Sequence, residues 1–163
     1  MKLDHLDLVT NRPEETQEIG VRIGRLARAG DVFLLVGELG AGKTCLTQGI
    51  AWGLDIKDYA LSPSFVIVRE LAGRLKLYHI DLFRLERLAE IDDLGLDDYL
   101  YGDGVCVVEW AERGLPLLPT EHLWIEIKFL DDTQRSLRFK PSGARYQELL
   151  AQLRQFFLRR KSD

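Results

Sequence analysis

Apolar positions recur along this chain at two spacings, and the changes from one to the other mark out its elements. Leu3 to Val9 predicts a short strand. Thr10 or Asn11 then offers a helix cap, with Pro13 in the first turn and Glu14 and Glu15 at the positive end of the dipole. Ile19, Ile23 and Leu26 supply that helix's apolar stripe, Arg22, Arg25 and Arg28 its wet side, and Gly30 its stop. Asp31 to Val36 is a mostly apolar run suited to a buried parallel strand, and Leu46, Ile50 and Leu54 return at helical spacing. Leu61 to Ser64 reads as a loop leading into Phe65 to Arg69, which pairs through a turn at Ala72-Gly73 with Leu75 to Asp81 as a hairpin.

The second half follows the same logic. Leu85 to Leu100 predicts one or two short helices interrupted near Gly95, and Gly104 to Glu109 a central strand. Pro116 and Pro119 break the chain before a second hairpin. In that hairpin Leu123, Ile125, Ile127 and Phe129 alternate, Asp131 to Gln134 turn, and Ser136 to Lys140 return. A last helix carries Tyr146, Leu149, Leu150, Leu153, Phe156 and Phe157 on one face.

Composition narrows the class only a little. The chain has 163 residues, 46% hydrophobic and 29% charged, as expected of one globular domain spanning residues 1–163. A net charge of −4 gives no support for bulk nucleic-acid binding. The local basic tail of Arg154, Arg159, Arg160 and Lys161 reads as a solvated helix end. Cys45 and Cys106 do not suggest a disulfide framework. Asp4 and Asp7 interrupt any signal-peptide pattern and no apolar stretch reaches membrane length, so a cytoplasmic location is expected.

The chemistry lies between the second strand and the second helix. Gly37-Glu38-Leu39-Gly40-Ala41-Gly42-Lys43-Thr44 matches G-x-x-x-x-G-K-[ST] in the strand–loop–helix context that pattern needs. Its glycines let successive backbone N–H groups point inward at phosphate oxygens, and the helix N-terminus adds unpaired donors. Lys43 is expected to reach the β- and γ-phosphates, and the Thr44 hydroxyl to ligate Mg2+. Such a site needs a second acid at a neighbouring strand end, and Glu109 and Asp81 both qualify. Alternation puts His79 and Asp81 on one face; Asp81 positions water or hydrated Mg2+, or else caps the helix near Leu85. His79 reads equally well as structural, Arg84 as a transition-state cation or a surface partner, and Trp110 as a neighbour of the nucleotide or as core, with the sequence favouring core. The fold expected is α/β: a P-loop NTPase domain, a three-layer sandwich whose mixed sheet has a parallel core and antiparallel hairpins.

These residues in this order resemble the TsaE (YjeE) family, bacterial P-loop ATPases needed to make N6-threonylcarbamoyladenosine in tRNA. The likeness rests on Gly37 to Thr44, Ser62-Pro63-Ser64-Phe65, Tyr78-His79-Ile80-Asp81-Leu82-Phe83-Arg84 and Val108-Glu109-Trp110. It implies Thr44 and Glu109 as the Mg2+-associated pair, with Asp81 and Lys43 supporting hydrolysis. It implies a nucleotide-binding set of Thr16, Gly37, Gly40, Ala41, Gly42, Lys43, Thr44, Cys45, Asp81, Glu112 and Arg135, and a switch-like loop from Ser62 to Phe65. The family often has Thr where Cys45 and Ser64 stand and Tyr where Phe83 stands. The resemblance also implies ATP as substrate and TsaB and TsaD as partners, with TsaD performing the transfer onto adenosine 37 of tRNAs reading ANN codons.

Two other classes fit a P-loop. A small-metabolite or nucleotide kinase needs an arginine-rich lid and an acceptor insert, and the arginines here are scattered. A GTPase needs N-K-x-D to read guanine, and that motif is missing.

Overall fold

A computed structural model describes residues 2–38, 40–57 and 67–162, with the side chains of 160–162 outside the description. Its strands are β1 (Leu6–Thr10), β2 (Val32–Gly37), β3 (Val68–Leu71), β4 (Leu77–Asp81), β5 (Val105–Glu109), β6 (His122–Phe129) and β7 (Arg135–Ser142). The helices are α1 (Pro13–Leu26), α2 (Lys43–Gly53), α3 (Leu88–Asp92), α4 (Asp97–Leu100) and α5 (Ala144–Ser162), with 3-10 turns at Ala111–Arg113 and Leu115–Leu117.

All seven strands form one sheet in the order β1-β7-β6-β2-β5-β4-β3. The inner strands run parallel, β6 and β5 flanking β2 and β4 following β5. The hairpins β3–β4 and β6–β7 and the β1–β7 pair are antiparallel, so the sheet is mixed as expected. Strand alternation then separates two cores. Phe33, Leu35, Val105, Val107, Ile125 and Ile127 pack beneath α1, α2 and α5, while Val32, Leu34, Val36, Ile80 and Val108 face Ile91, Leu96 and Leu100 of the short helices. Helices on both faces of one sheet make three layers. No helix among the described residues is long and apolar enough to cross a membrane.

The α1–α2 contact is closer than ordinary helix packing allows. A Cβ on Gly20 would strike the Leu46 carbonyl, one on Gly24 the Ile50 carbonyl, one on Gly49 the Gln17 carbonyl and one on Gly53 the Val21 carbonyl. Two Gly-x-x-x-Gly faces thus bring backbone against backbone, an approach only glycine permits. Beside them Gln17 Nε2 donates to Gln48 Oε1 at 2.8 Å.

Several local expectations need correction. The first strand begins at Leu6 rather than Leu3, because Gln147 of α5 pairs with both the N–H and the carbonyl of Leu3 at 2.8 Å. Neither Thr10 nor Asn11 caps α1: Arg12 is the N-cap, Thr10 turns inward onto Thr16, and the Asn11 N–H donates to Glu15 Oε1 at 3.1 Å. The helix stops at Leu26, ahead of Gly30, where Arg74 Nη2 donates to the carbonyls of Gly24 (2.8 Å) and Ala27 (3.0 Å). Arg22 is not wholly wet, since its guanidinium lies 4.3 Å from the Phe156 ring centre. The helix after Asp81 starts at Leu88 with Arg87 as N-cap, so Asp81 is not its cap. Leu39 and the segment from Leu61 to Phe65 lie outside the described residues.

Candidate functional site

The sheet places its chemistry at the C-terminal ends of β2, β4 and β5. β2 runs into the glycine loop, and α2 leaves it behind Gly42, whose φ of +113° is open to glycine at no steric cost. No side chain caps α2, so its first-turn N–H groups are left to a ligand. Gly40 takes φ +81°, and the Ala41 N–H closes a turn on the Glu38 carbonyl at 3.0 Å. This curled backbone ahead of an uncapped helix fits a chain of phosphates.

Lys43 opens α2 and is only 5% exposed. Its ammonium donates to the carbonyls of Gly37 and, at 3.0 Å, Glu38, and it lies 4.1 Å from the Trp110 ring centre. Burial pulls its pKa below the ordinary lysine value, opposed by the charges of Glu109, Glu112, Asp81 and Glu38. The cation therefore rests on loop carbonyls, oxygen acceptors of the kind a phosphate would offer.

Asp81 and Glu109 are register partners at the ends of the parallel strands β4 and β5. Both sit on the face that α2 covers. Glu109 is buried at 3% exposure and its Oε2 meets His79 Nε2 and, at 3.4 Å, Thr47 Oγ1. Asp81 is half-buried, and Oδ1 accepts the Phe83 N–H at 2.9 Å. Burial raises the Asp81 pKa, the Phe83 hydrogen bond opposing it and the Glu109 charge adding to it.

Gly37, Lys43, Asp81 and Glu109 thus converge on one end of the sheet. Arg135 joins them from the second hairpin, with Nη2 3.4 Å from the Gly40 carbonyl and its guanidinium 4.6 Å from the Phe129 ring centre. Exposed Glu112 helps line a cleft of about 440 Å3 beside the loop, with Gly37, Glu38, Trp110, Lys128 and Phe129. Thr44 is exposed on the first turn of α2, and among the described residues no hydrogen bond joins it to Glu109. Ala41 is buried. Cys45 is half-buried, and burial raises its thiol pKa. Thr16 stands apart: its hydroxyl pairs with Thr10 Oγ1 at 2.8 Å and makes no hydrogen bond to the loop among the described residues.

Trp110 is partly buried and packs against the core on the side of the short helices, as expected, and it also reaches the loop lysine. It takes φ +59°, uncommon for a bulky residue, and its half-buried ring lies between Lys43 and Phe83, 5.0 Å from the Phe83 centroid. Thr47, one helical turn after Lys43, is fully buried and also touches this site, 3.4 Å from Glu109 Oε2.

The candidate residues converge on one end of a mixed sheet, and the relatives converge on one family. The description "Threonylcarbamoyl adenosine biosynthesis protein TsaE" matches residues 10–137. The chain belongs to the TsaE family. A Bacillus subtilis relative named "tRNA threonylcarbamoyladenosine biosynthesis protein TsaE" is 46% identical, over 88% of this chain and 90% of its own. A Treponema pallidum protein of the same name is 40% identical over 79% and 96%. A crystal structure of Bacillus subtilis YdiB superposes with a TM-score of 0.81 at 40% identity, covering 96% of this chain and 97% of that one. The TsaE match takes in the glycine loop, His79, Asp81, Glu109, Trp110 and Arg135.

No cluster of three or more His, Cys, Asp or Glu that could hold a metal occurs among the described residues. Mg2+ does not require one, since it usually takes one or two carboxylates together with waters and phosphate oxygens. The Thr44 hydroxyl and the buried Glu109 carboxylate are donors of that hard, oxygen-rich kind.

Proposed function

We propose that the chain is an Mg-dependent ATPase subunit required to form the threonylcarbamoyl group on adenosine 37 of tRNAs reading ANN codons. It acts with TsaB and TsaD, hydrolysing ATP rather than performing the transfer. The observation that carries the reading is Lys43: an ammonium pinned to the loop carbonyls Gly37 and Glu38, facing two strand-end carboxylates, within a TsaE-family chain.

In this reading the loop N–H groups and the first turn of α2 hold the phosphates, and Lys43 exchanges its carbonyl partners for β- and γ-phosphate oxygens. Thr44 and Glu109 hold Mg2+, which supplies charge neutralisation on those oxygens. Asp81 orients the attacking water through its carboxylate, its Oδ1 fixed by the Phe83 N–H. Glu112 and Arg135 bound the nucleotide on the side of the cleft, and Thr16, Gly37, Gly40, Ala41, Gly42 and Cys45 complete the binding set. The described residues serve together as one nucleotide-binding unit.

Lys43→Ala tests the carrying observation. Calorimetric titration is expected to show ATP affinity falling at least tenfold and hydrolysis falling with it. Unchanged affinity and turnover would overturn the phosphate-site reading.

A further inference from the structure

Glu109 is gripped in a particular way. Both of its hydrogen-bond contacts end on Oε2, one from His79 Nε2 on β4 and one from Thr47 Oγ1 on α2. Among the described residues no hydrogen bond ends on Oε1, so one carboxylate oxygen takes both contacts, from strand and from helix, and the other takes none.

Thr47 is fully buried, and its hydroxyl also donates to the Lys43 carbonyl at 2.9 Å. One side chain thus touches the backbone of the phosphate-facing lysine and the carboxylate opposite it. The hydroxyl has a single proton, which it shares between the Lys43 carbonyl at 2.9 Å and the Glu109 carboxylate at 3.4 Å.

We propose that Thr47 is a positioning residue: with His79 it fixes Glu109 Oε2 so that Oε1 is the oxygen offered to the phosphate-bound cation. The assignment rests on the reading of Thr44 and Glu109 as the Mg2+ pair. Partners that orient a metal-binding carboxylate commonly change metal affinity or activity by about 10–100-fold when removed. Thr47 acts on the cation through Glu109; its one contact with Lys43 is to the backbone carbonyl within the helix, and among the described residues it makes no hydrogen bond to the ammonium.

The test compares Thr47→Val with Thr47→Ser, because the two remove different parts of the side chain. Valine keeps the shape and loses the hydroxyl; serine keeps the hydroxyl and loses a methyl from a fully buried position. ADP affinity is measured by calorimetry in EDTA and across a Mg2+ titration, and phosphate release across the same titration. For Thr47→Val the expectation is ADP affinity in EDTA within about twofold of wild type and a half-saturating Mg2+ concentration raised about tenfold. Thr47→Ser is expected to recover most of the Mg2+ response. A serine variant impaired where valine is normal assigns Thr47 to packing and overturns the proposal, as does a valine variant with wild-type Mg2+ dependence. Should Thr47→Val not fold, an impaired Mg2+ response in folded Thr47→Ser overturns the proposal and a retained one supports it. A wild-type protein that binds ADP identically with and without Mg2+ removes the metal reading itself, and the inference with it.

Discussion

Replacing Gly49 by alanine adds one methyl group where α2 lies against α1. The new Cβ would sit on the Gln17 carbonyl oxygen, 2.9 Å from its carbonyl carbon and 3.0 Å from its Cα. These are backbone atoms of a helix, so no rotamer change relieves them and the helices must part. Overpacking of this kind costs about 1–3 kcal/mol, and three backbone contacts put this position at the upper end. Alanine returns about 1 kcal/mol of helix propensity, leaving a net loss near 2 kcal/mol. For a chain of this length that lowers the melting temperature by roughly 4–8 °C. Urea denaturation followed by circular dichroism measures it, with the slope m unchanged. Because α2 also carries Lys43 and Thr44, ADP affinity is expected to weaken in the folded variant. A Gly49→Ala protein as stable as wild type, or more so, would refute the claim that glycine sets the helix spacing.

Three further outcomes follow from the site. Asp81→Asn keeps an oxygen for the Phe83 N–H and removes the charge, so hydrolysis is expected to drop more than tenfold while ATP binds within a few-fold; normal turnover would strip Asp81 of its role. The raised Asp81 pKa means the folded state holds this proton more tightly than the unfolded state, so wild-type stability falls as pH rises from the ordinary carboxylate value through the raised one. The asparagine variant lacks that loss, and its melting temperature relative to wild type should therefore climb across that interval and level off at neutral pH. Arg135→Ala removes the guanidinium beside Gly40 and is expected to weaken ATP binding roughly tenfold, the scale of one lost charge-assisted hydrogen bond; an unchanged calorimetric affinity would separate Arg135 from the nucleotide.

What could be read from the chain divides along physical lines. Continuous apolar runs identified β2 and β5, and alternation identified β6 and β7, because strand burial is written directly in the side-chain period. The glycine loop was legible since its spacing and its flanks constrain each other. The α1–α2 contact was not: Gly20, Gly24, Gly49 and Gly53 weaken each helix locally, and their value appears only when the two faces meet. The end of α1 depends on Arg74, remote in sequence. Trp110 does pack against the core, as its place after a buried strand suggests, but its contact with Lys43 is not written in that pattern. Nothing in the sequence pattern singles out Thr47; its proximity to Glu109 appears only in the fold.

The central claim is that this chain hydrolyses ATP in the service of a complex. Phosphoryl transfer needs charge stabilisation on the γ-phosphate, and a cation supplied by a partner can raise rates by about 10³–10⁵-fold. Here Lys43 is the cation held at the loop, and Arg135 lies alongside with its donors on backbone carbonyls. Steady-state phosphate release, measured while TsaB and TsaD are titrated into the pure protein, decides the matter. The account predicts slow release from the isolated chain, strong acceleration by the partners, and loss of that acceleration with basal turnover kept when Ser62 or Pro63 is substituted. Turnover of tens per second by the isolated chain, unchanged by either partner, would contradict it.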